Sequence, residues 1–337
     1  MKLQEYDLTN AWDVDLTEPP GKRWVDVVEE TGDHIQEIVA DVIEYCEAEL
    51  PAAPGWMKPL IRTAVHGGAR LGGTVVGIVA RLFGQEYQAE IKGIARQAGV
   101  SYAQLLLGNL MYDLSQLYEH YFLGGGQPTA CSSYSCNLPD GSPVLARNMD
   151  WEVPESLGRH TLLLRHHRGK RSYLSVGVAG MVGVLSAMQP GHWAVTLNQA
   201  PIEHIQPRWL QTPALQRLRQ VCDGFGGYRN LVRRIQEYQT MTPFFAHVVG
   251  AKRGQHMVIN GLGDSFVERR MDGRRLIQTN HFVDEDLAYL NGAEEWQEED
   301  GSWLTCDSQP RYEALERRLR ALPRTVDEAR GKLQRGR

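Results

Sequence analysis

The chain has 337 residues, 42% of them hydrophobic and 23% charged. That balance excludes a disordered or fibrous chain and, at ~150 residues per domain, leaves one large or two ordinary domains. Lys plus Arg number 36 against 41 acidic residues, a net of −5, so the electrostatic footprint of a nucleic-acid binder is missing. Five cysteines, an odd number, exclude a fully paired disulfide scaffold and leave at least one thiol free or bonded between chains.

The opening residues MKLQEYDLTNAWDVDLTEPP are acidic and polar where a secretory signal has an apolar stretch. The expected location is therefore cytoplasmic, or exported with a leader that this sequence lacks. From Lys22 to His120 the pattern is helical, with Val25, Val28, Ile35, Ile38, Val39 and Val42 at i, i+3, i+4 spacing. The apolar segment 56–83 carries Lys58, Arg62, His66, Arg70 and Arg81, so it holds no uncharged run long enough to span a bilayer. It reads as a helical hairpin whose apolar face packs inward or makes peripheral membrane contact. A helix from about Tyr87 ends at Gly99 as a C′ residue, and Ser101 with Gln104 has capping-box spacing for the next.

At Gly124–Gly126 and Pro128 the texture changes to short strands. CSSYSCNL from Cys131 and VLARNM from Val144 flank Pro139-Asp140-Gly141 as a hairpin. Further strands are expected from His160, Ser172, His192, Ala246, His256, Ser265 and Leu276. Thr212 to Tyr238 is expected to be helical, with Gly224-Phe225-Gly226-Gly227 reading as a turn, and a last helix runs from about Gln309 to Leu322. The acidic run 294–300 reads as a solvated insertion loop. A helical first third followed by hairpin-rich β structure implies an α+β fold with its boundary near 125–131.

The hairpin carries the chemistry. Its return strand brings Arg147 and Asp150 back toward Cys131, where an arginine favours a thiolate and an aspartate can hold an amine or orient the arginine. Cys136, an odd number of residues from Cys131, points to the opposite face and reads as packing. No H-x₃-H or C-x₂-C spacing appears, so neither a metal nor another cofactor is expected.

CSSYSCNLPDGSPVLARNMDW resembles the start of the catalytic chain in the acid ceramidase and N-acylethanolamine acid amidase family. That family belongs to the cysteine N-terminal-nucleophile hydrolases, with penicillin V acylase, bile salt hydrolase and penicillin acyltransferase. WDVDLTEPPGKRW (12–24), the E-I-x-G-I-A helical segment within 86–114, QPGHWAVTLNQ (189–199) and QTNHF (278–282) are similar to further family segments, in the family's order. The resemblance covers residues 12 to 335. It implies an αββα sandwich preceded by a helical N-terminal region, and self-cleavage between Ala130 and Cys131. Residues 1–130 would then be an α-subunit and 131–337 a catalytic β-subunit, associated as a heterodimer.

The resemblance further implies Cys131 as nucleophile, Arg147 and Asp150 positioning the new terminus, and Asn280 as an oxyanion donor. Arg311 matches the family's downstream arginine at a longer spacing, and Asn198 is either a second polar donor or a strand-end hydrogen bond. Gln199 stands where the family has a glutamate implicated in self-cleavage, and the chain stops at Arg337 where family members add strands. The implied activity is hydrolysis of a lipid amide such as ceramide or an N-acylethanolamine through a thioester. The alternatives are acyl transfer or penicillin or bile-salt amide hydrolysis, and, from another class, a non-processing lipid-binding homologue.

Overall fold

The computed structural model describes residues 11–49, 58, 81–122, 130–150, 154–201, 204–205, 208, 210–237, 239–291, 295–297, 303–305 and 308–334. Most of the apolar segment 56–83, the glycine run 124–126 and Cys306 lie outside them.

Strand β1 (Trp12–Asp15) precedes helices α1 (Val25–Glu49), α2 (Gly84–Ala98) and α3 (Tyr102–Phe122). The hairpin β2 (Ala130–Asn137) and β3 (Pro143–Asp150) is followed by α4 (Glu155–Arg159), β4 (Thr161–Arg168), β5 (Arg171–Val178), β6 (Ser186–Gln189) and β7 (Trp193–Gln199). Then come α5 (Ala214–Cys222), α6 (Tyr228–Gln236), β8 (Phe244–Gly250), β9 (His256–Gly261), β10 (Phe266–Arg270) and β11 (Arg275–Gln278). Short strands β12 (Glu295–Gln297) and β13 (Trp303–Thr305) lead to α7 (Ser308–Arg318) and α8 (Val326–Gln334). No helix of the described residues is long and apolar enough to cross a membrane.

The chain divides into two compact units. One comprises Met1–Pro51, Pro59–Asn109 and Val153–Ala187; the other comprises Ala52–Lys58, Leu110–Glu152 and Met188–Arg337. The Ala130–Cys131 junction is internal to the second.

In the first unit, β1 pairs in parallel with β4, which pairs antiparallel with β5. Helix α2 ends where Gly99 turns left-handed at φ 70° and donates back to Ala95, as its composition predicts. Glu90 is fully buried, a costly place for a carboxylate unless it is partnered. Its partners are Arg23 Nη1 and Trp24 Nε1, each at 2.8 Å. The P-P-x-x-R-W and E-I-x-G-I-A segments, separate in the sequence, therefore form one ion-paired joint. Gly93 makes that approach possible, because a Cβ there would lie 2.3 Å from the Gly21 carbonyl oxygen.

The second unit is layered. One sheet has the order β11-β2-β3, and β7 to β10 run antiparallel in sequence order. The β2–β3 hairpin turns at Gly141, φ 84°, and packs against β7 and β8. Its outer face is covered by α7 and α8, burying Tyr134, Cys136, Ile277, Leu315, Leu319 and Leu333 together. Helix α6 lies against β8. The order helix, sheet, sheet, helix is the expected αββα arrangement, and Cys136 is packing, as its parity with Cys131 requires.

The helical stretch 212–238 is two helices, α5 and α6, parted at the expected turn, because Asp223–Gly227 includes three glycines and Phe225 at φ 47°, which no α-helix accommodates. One expectation needs correcting. The acidic run 294–300 is not wholly loop, since Glu295–Gln297 pairs antiparallel with Trp303–Thr305. The strands are six residues apart at their nearest ends, a local ladder that a charged composition does not signal.

Candidate active site

Strand alternation decides what β2 can present. Cys131, Ser133 and Ser135 share the face toward β7 and β8, while Ser132, Tyr134 and Cys136 face α7 and α8. The register sets Cys131 opposite Met149 and Ser133 opposite Arg147, so the Arg147 side chain rises on the same face as the thiol. Its Nη2 lies 3.5 Å from Cys131 Sγ and donates to the Leu197 carbonyl at 2.7 Å. Cys131 itself is buried, 2% exposed.

Asn280 follows β11 directly and comes back over the start of β2. Its Oδ1 accepts from the Cys131 backbone nitrogen at 2.7 Å and from Arg311 Nη2 at 3.1 Å. Its Nδ2 donates to the Gln199 carbonyl at 2.9 Å. Arg311, in the first turn of α7, donates through Nη1 to the Cys131 carbonyl at 2.5 Å and to Ser132 Oγ at 3.0 Å. Every polar backbone atom of Cys131 is thus gripped by a side chain, and a guanidinium stands beside its sulfur. The long sequence spacing to Arg311 is no obstacle to its arrival here.

Asp150 opposes Ala130 in the register, one pair beyond Cys131–Met149, and lies on the face of β3 away from Arg147. It is exposed. Asn198 makes no hydrogen bond to Cys131. Its Nδ2 donates to Ser133 Oγ at 3.4 Å and to the Gln278 and Thr279 carbonyls at 3.2 Å each, joining β7 to β2 and β11. The Gln199 side chain points away, donating to the Tyr112 carbonyl at 2.7 Å and Ser115 Oγ at 3.2 Å. It is the backbone of Gln199, not its amide, that touches the site.

Residues that the sequence reading did not single out support these groups. Ser133 Oγ donates to the Gln278 carbonyl and lies 3.0 Å from His247 Nδ1, whose Nε2 is 2.9 Å from Ser135 Oγ. With Ser133 donating elsewhere, His247 carries its proton on Nδ1 and accepts from Ser135. Burial, then the nearby Arg269 and His256 charges, hold His247 well below the usual histidine range. Burial does the same to His281, with Arg269 and Arg311 adding to it, at about 4. Burial pushes the Cys136 thiol up to about 11, so it remains protonated and inert. The serines were readable as strand polars but carried no signal of their partners on β8. Among the described residues no His, Cys, Asp and Glu cluster could hold a metal ion.

No protein-family model matches the chain. It is 24% identical over 257 residues to the N-acylethanolamine-hydrolyzing acid amidase of Caenorhabditis elegans, covering 74% of this chain and 66% of that protein. It is 26% identical over 200 residues to the acid ceramidase of Balaenoptera acutorostrata scammoni, covering 55% of this chain and 44% of that protein. A probable acid ceramidase of Caenorhabditis elegans matches at 23% identity over 313 residues, 83% of this chain and 71% of that one. The chain thus spans 66% and 44% of the length of the first two relatives. A solved structure of the Caenorhabditis elegans amidase ortholog aligns with a TM-score of 0.47 and 18% identity over 60% of this chain and 84% of that one.

Proposed function

We propose that this chain is a member of the acid ceramidase and N-acylethanolamine acid amidase family, to which the relatives above belong, and an N-acyl amide hydrolase acting on lipid amides through Cys131. The observation that carries the reading is the convergence on one residue: Arg147 at its sulfur, Asn280 at its nitrogen, Arg311 at its carbonyl oxygen. A cysteine that was merely a small buried hydrophobe would need no guanidinium at its sulfur.

Cleavage of the Ala130–Cys131 bond leaves residues 1–130 and 131–337 as two associated chains and turns the Cys131 nitrogen into an α-amine. An α-amine titrates near ~7.7–8.0, so at neutral pH it can take the proton of its own thiol. The Arg147 guanidinium stabilises the thiolate, and Asn280 holds the amine. The thiolate attacks the amide carbonyl, and the oxyanion takes hydrogen bonds from the second Asn280 Nδ2 proton and a backbone N–H. The C–N bond breaks as the α-ammonium returns its proton to the leaving amine. Water, deprotonated by the same α-amine, then attacks the thioester and releases the fatty acid and the free thiol.

Intact mass is the first measurement. The reading requires two species whose masses sum to the 38.0 kDa chain plus one water, and turnover of ceramide or N-palmitoylethanolamine by the cut form. Cys131→Ala abolishes both. A single uncut species after prolonged incubation at acid and neutral pH refutes the mechanism and leaves a lipid-binding homologue. Preference for penicillin V or glycocholate over the lipid amides reassigns the substrate class.

A further inference from the structure

Ser308, the first residue of α7, is fully buried between the helix and the segment 279–281. Its Oγ accepts from the Asn280 backbone N–H at 2.8 Å, lies 2.9 Å from His281 Nδ1, and donates to Thr279 Oγ1 at 3.0 Å. A hydroxyl has one proton and two lone pairs, so these three contacts use its whole capacity. Three consecutive residues of the segment bearing Asn280 are therefore tied to one oxygen on α7.

Arg311 follows Ser308 by three positions and lies on the same helical face. Fixing Ser308 against 279–281 fixes where the Arg311 guanidinium projects, onto the Cys131 carbonyl and Asn280 Oδ1. The two side chains that grip Cys131 from opposite ends then move as one piece. The tie also makes their separation independent of how many residues intervene, which is why a long spacing still delivers Arg311 to the site.

We propose that Ser308 is a positioning residue that sets Asn280 and Arg311 jointly against Cys131. The proposal rests on the reading of Cys131 as the nucleophile, and its test separates the two. Ser308→Ala removes the hub, and Ser308→Thr keeps the hydroxyl. With N-palmitoylethanolamine as probe, Ser308→Ala lowers kcat by about 10–100-fold, the range typical of lost supporting contacts, and leaves KM within about 2-fold. The acid limb of its kcat/KM profile shifts, because Asn280 no longer sits at the α-amine. Ser308→Thr recovers most of the loss. A Ser308→Ala enzyme that melts lower yet keeps the wild-type kcat and pH limb overturns the proposal, since that is what a purely structural role gives.

A second measurement does not need turnover. Iodoacetamide labelling of Cys131, followed by peptide mass in the full chain, changes at least about 5-fold in Ser308→Ala and stays near wild type in Ser308→Thr. Equal labelling rates in all three refute the hub. If the wild-type chain neither cuts nor hydrolyses while its labelling responds to Ser308, the proposed function fails and the positioning role stands.

Discussion

Replacing Asn280 by alanine removes one side chain and three hydrogen bonds: from the Cys131 nitrogen at 2.7 Å, from Arg311 Nη2 at 3.1 Å, and to the Gln199 carbonyl at 2.9 Å. Two are between neutral groups, worth about 1 kcal/mol each, and the guanidinium-assisted one about 1.5–3 kcal/mol. Asn280 is 8% exposed, so little water stands ready to replace them. The expected cost is about 4 kcal/mol of stability, the sum of those contributions. At roughly 2–4 °C per kcal/mol for a unit of about 150–250 residues, that lowers the melting temperature by roughly 8–16 °C. Turnover falls by about 10²–10³-fold if the same side chain also stabilises the oxyanion. Combining Asn280→Ala with Arg311→Met in a double-mutant cycle isolates their shared bond. Coupling of about 1.5–3 kcal/mol is expected; additivity within about 0.5 kcal/mol would refute the geometry.

Two further tests concern pH. His256 and His281 are held at about 4, and His247 lower than its usual value, all by burial. Their folded pKa values lie below the unfolded value near ~6.5, so the unfolded chain binds more protons on acidification and their stability is lost between about pH 6.5 and 4. Asp113, raised by burial to about 6, works the other way and returns stability as pH falls from about 6 toward 3.8. Three imidazoles outweigh one carboxyl, so the urea midpoint drops between pH 7 and pH 4.5; an equal or higher midpoint at pH 4.5 contradicts the assignment. Gln199→Glu places an oxygen where Nε2 now donates to the Tyr112 carbonyl, a site 2% exposed. Only the protonated acid can donate there, so its folded pKa rises and the cost, about 1–3 kcal/mol, is present at pH 8 and relieved toward pH 5. The same melting deficit against wild type at both pH values would sink that reasoning.

Much of the fold was legible because its signals are local. Glycines that must turn left-handed, at 99 and 141, stand where the elements end. Alternation along CSSYSC puts Cys131 and Cys136 on opposite faces. The turn inside 212–238 was legible for the same reason, since Gly224, Gly226 and Gly227 interrupt the helical spacing. The β12–β13 pair was not legible, because β12 lies in a run whose charge reads as solvated surface.

The amino-acid sequence by itself determined the α+β class, the Cys131–Arg147 pairing and the identity of Asn280. Those follow from local periodicity, from one short hairpin and from a motif order spread along the chain. Only tertiary structure decided which way Asn198 and Gln199 point, that Arg311 closes on the Cys131 carbonyl, and that Ser308 ties it to Asn280. The reason is the range of the interactions. Strand alternation is fixed by neighbouring residues, whereas a side chain's partner 180 positions away in sequence is chosen by how layers pack.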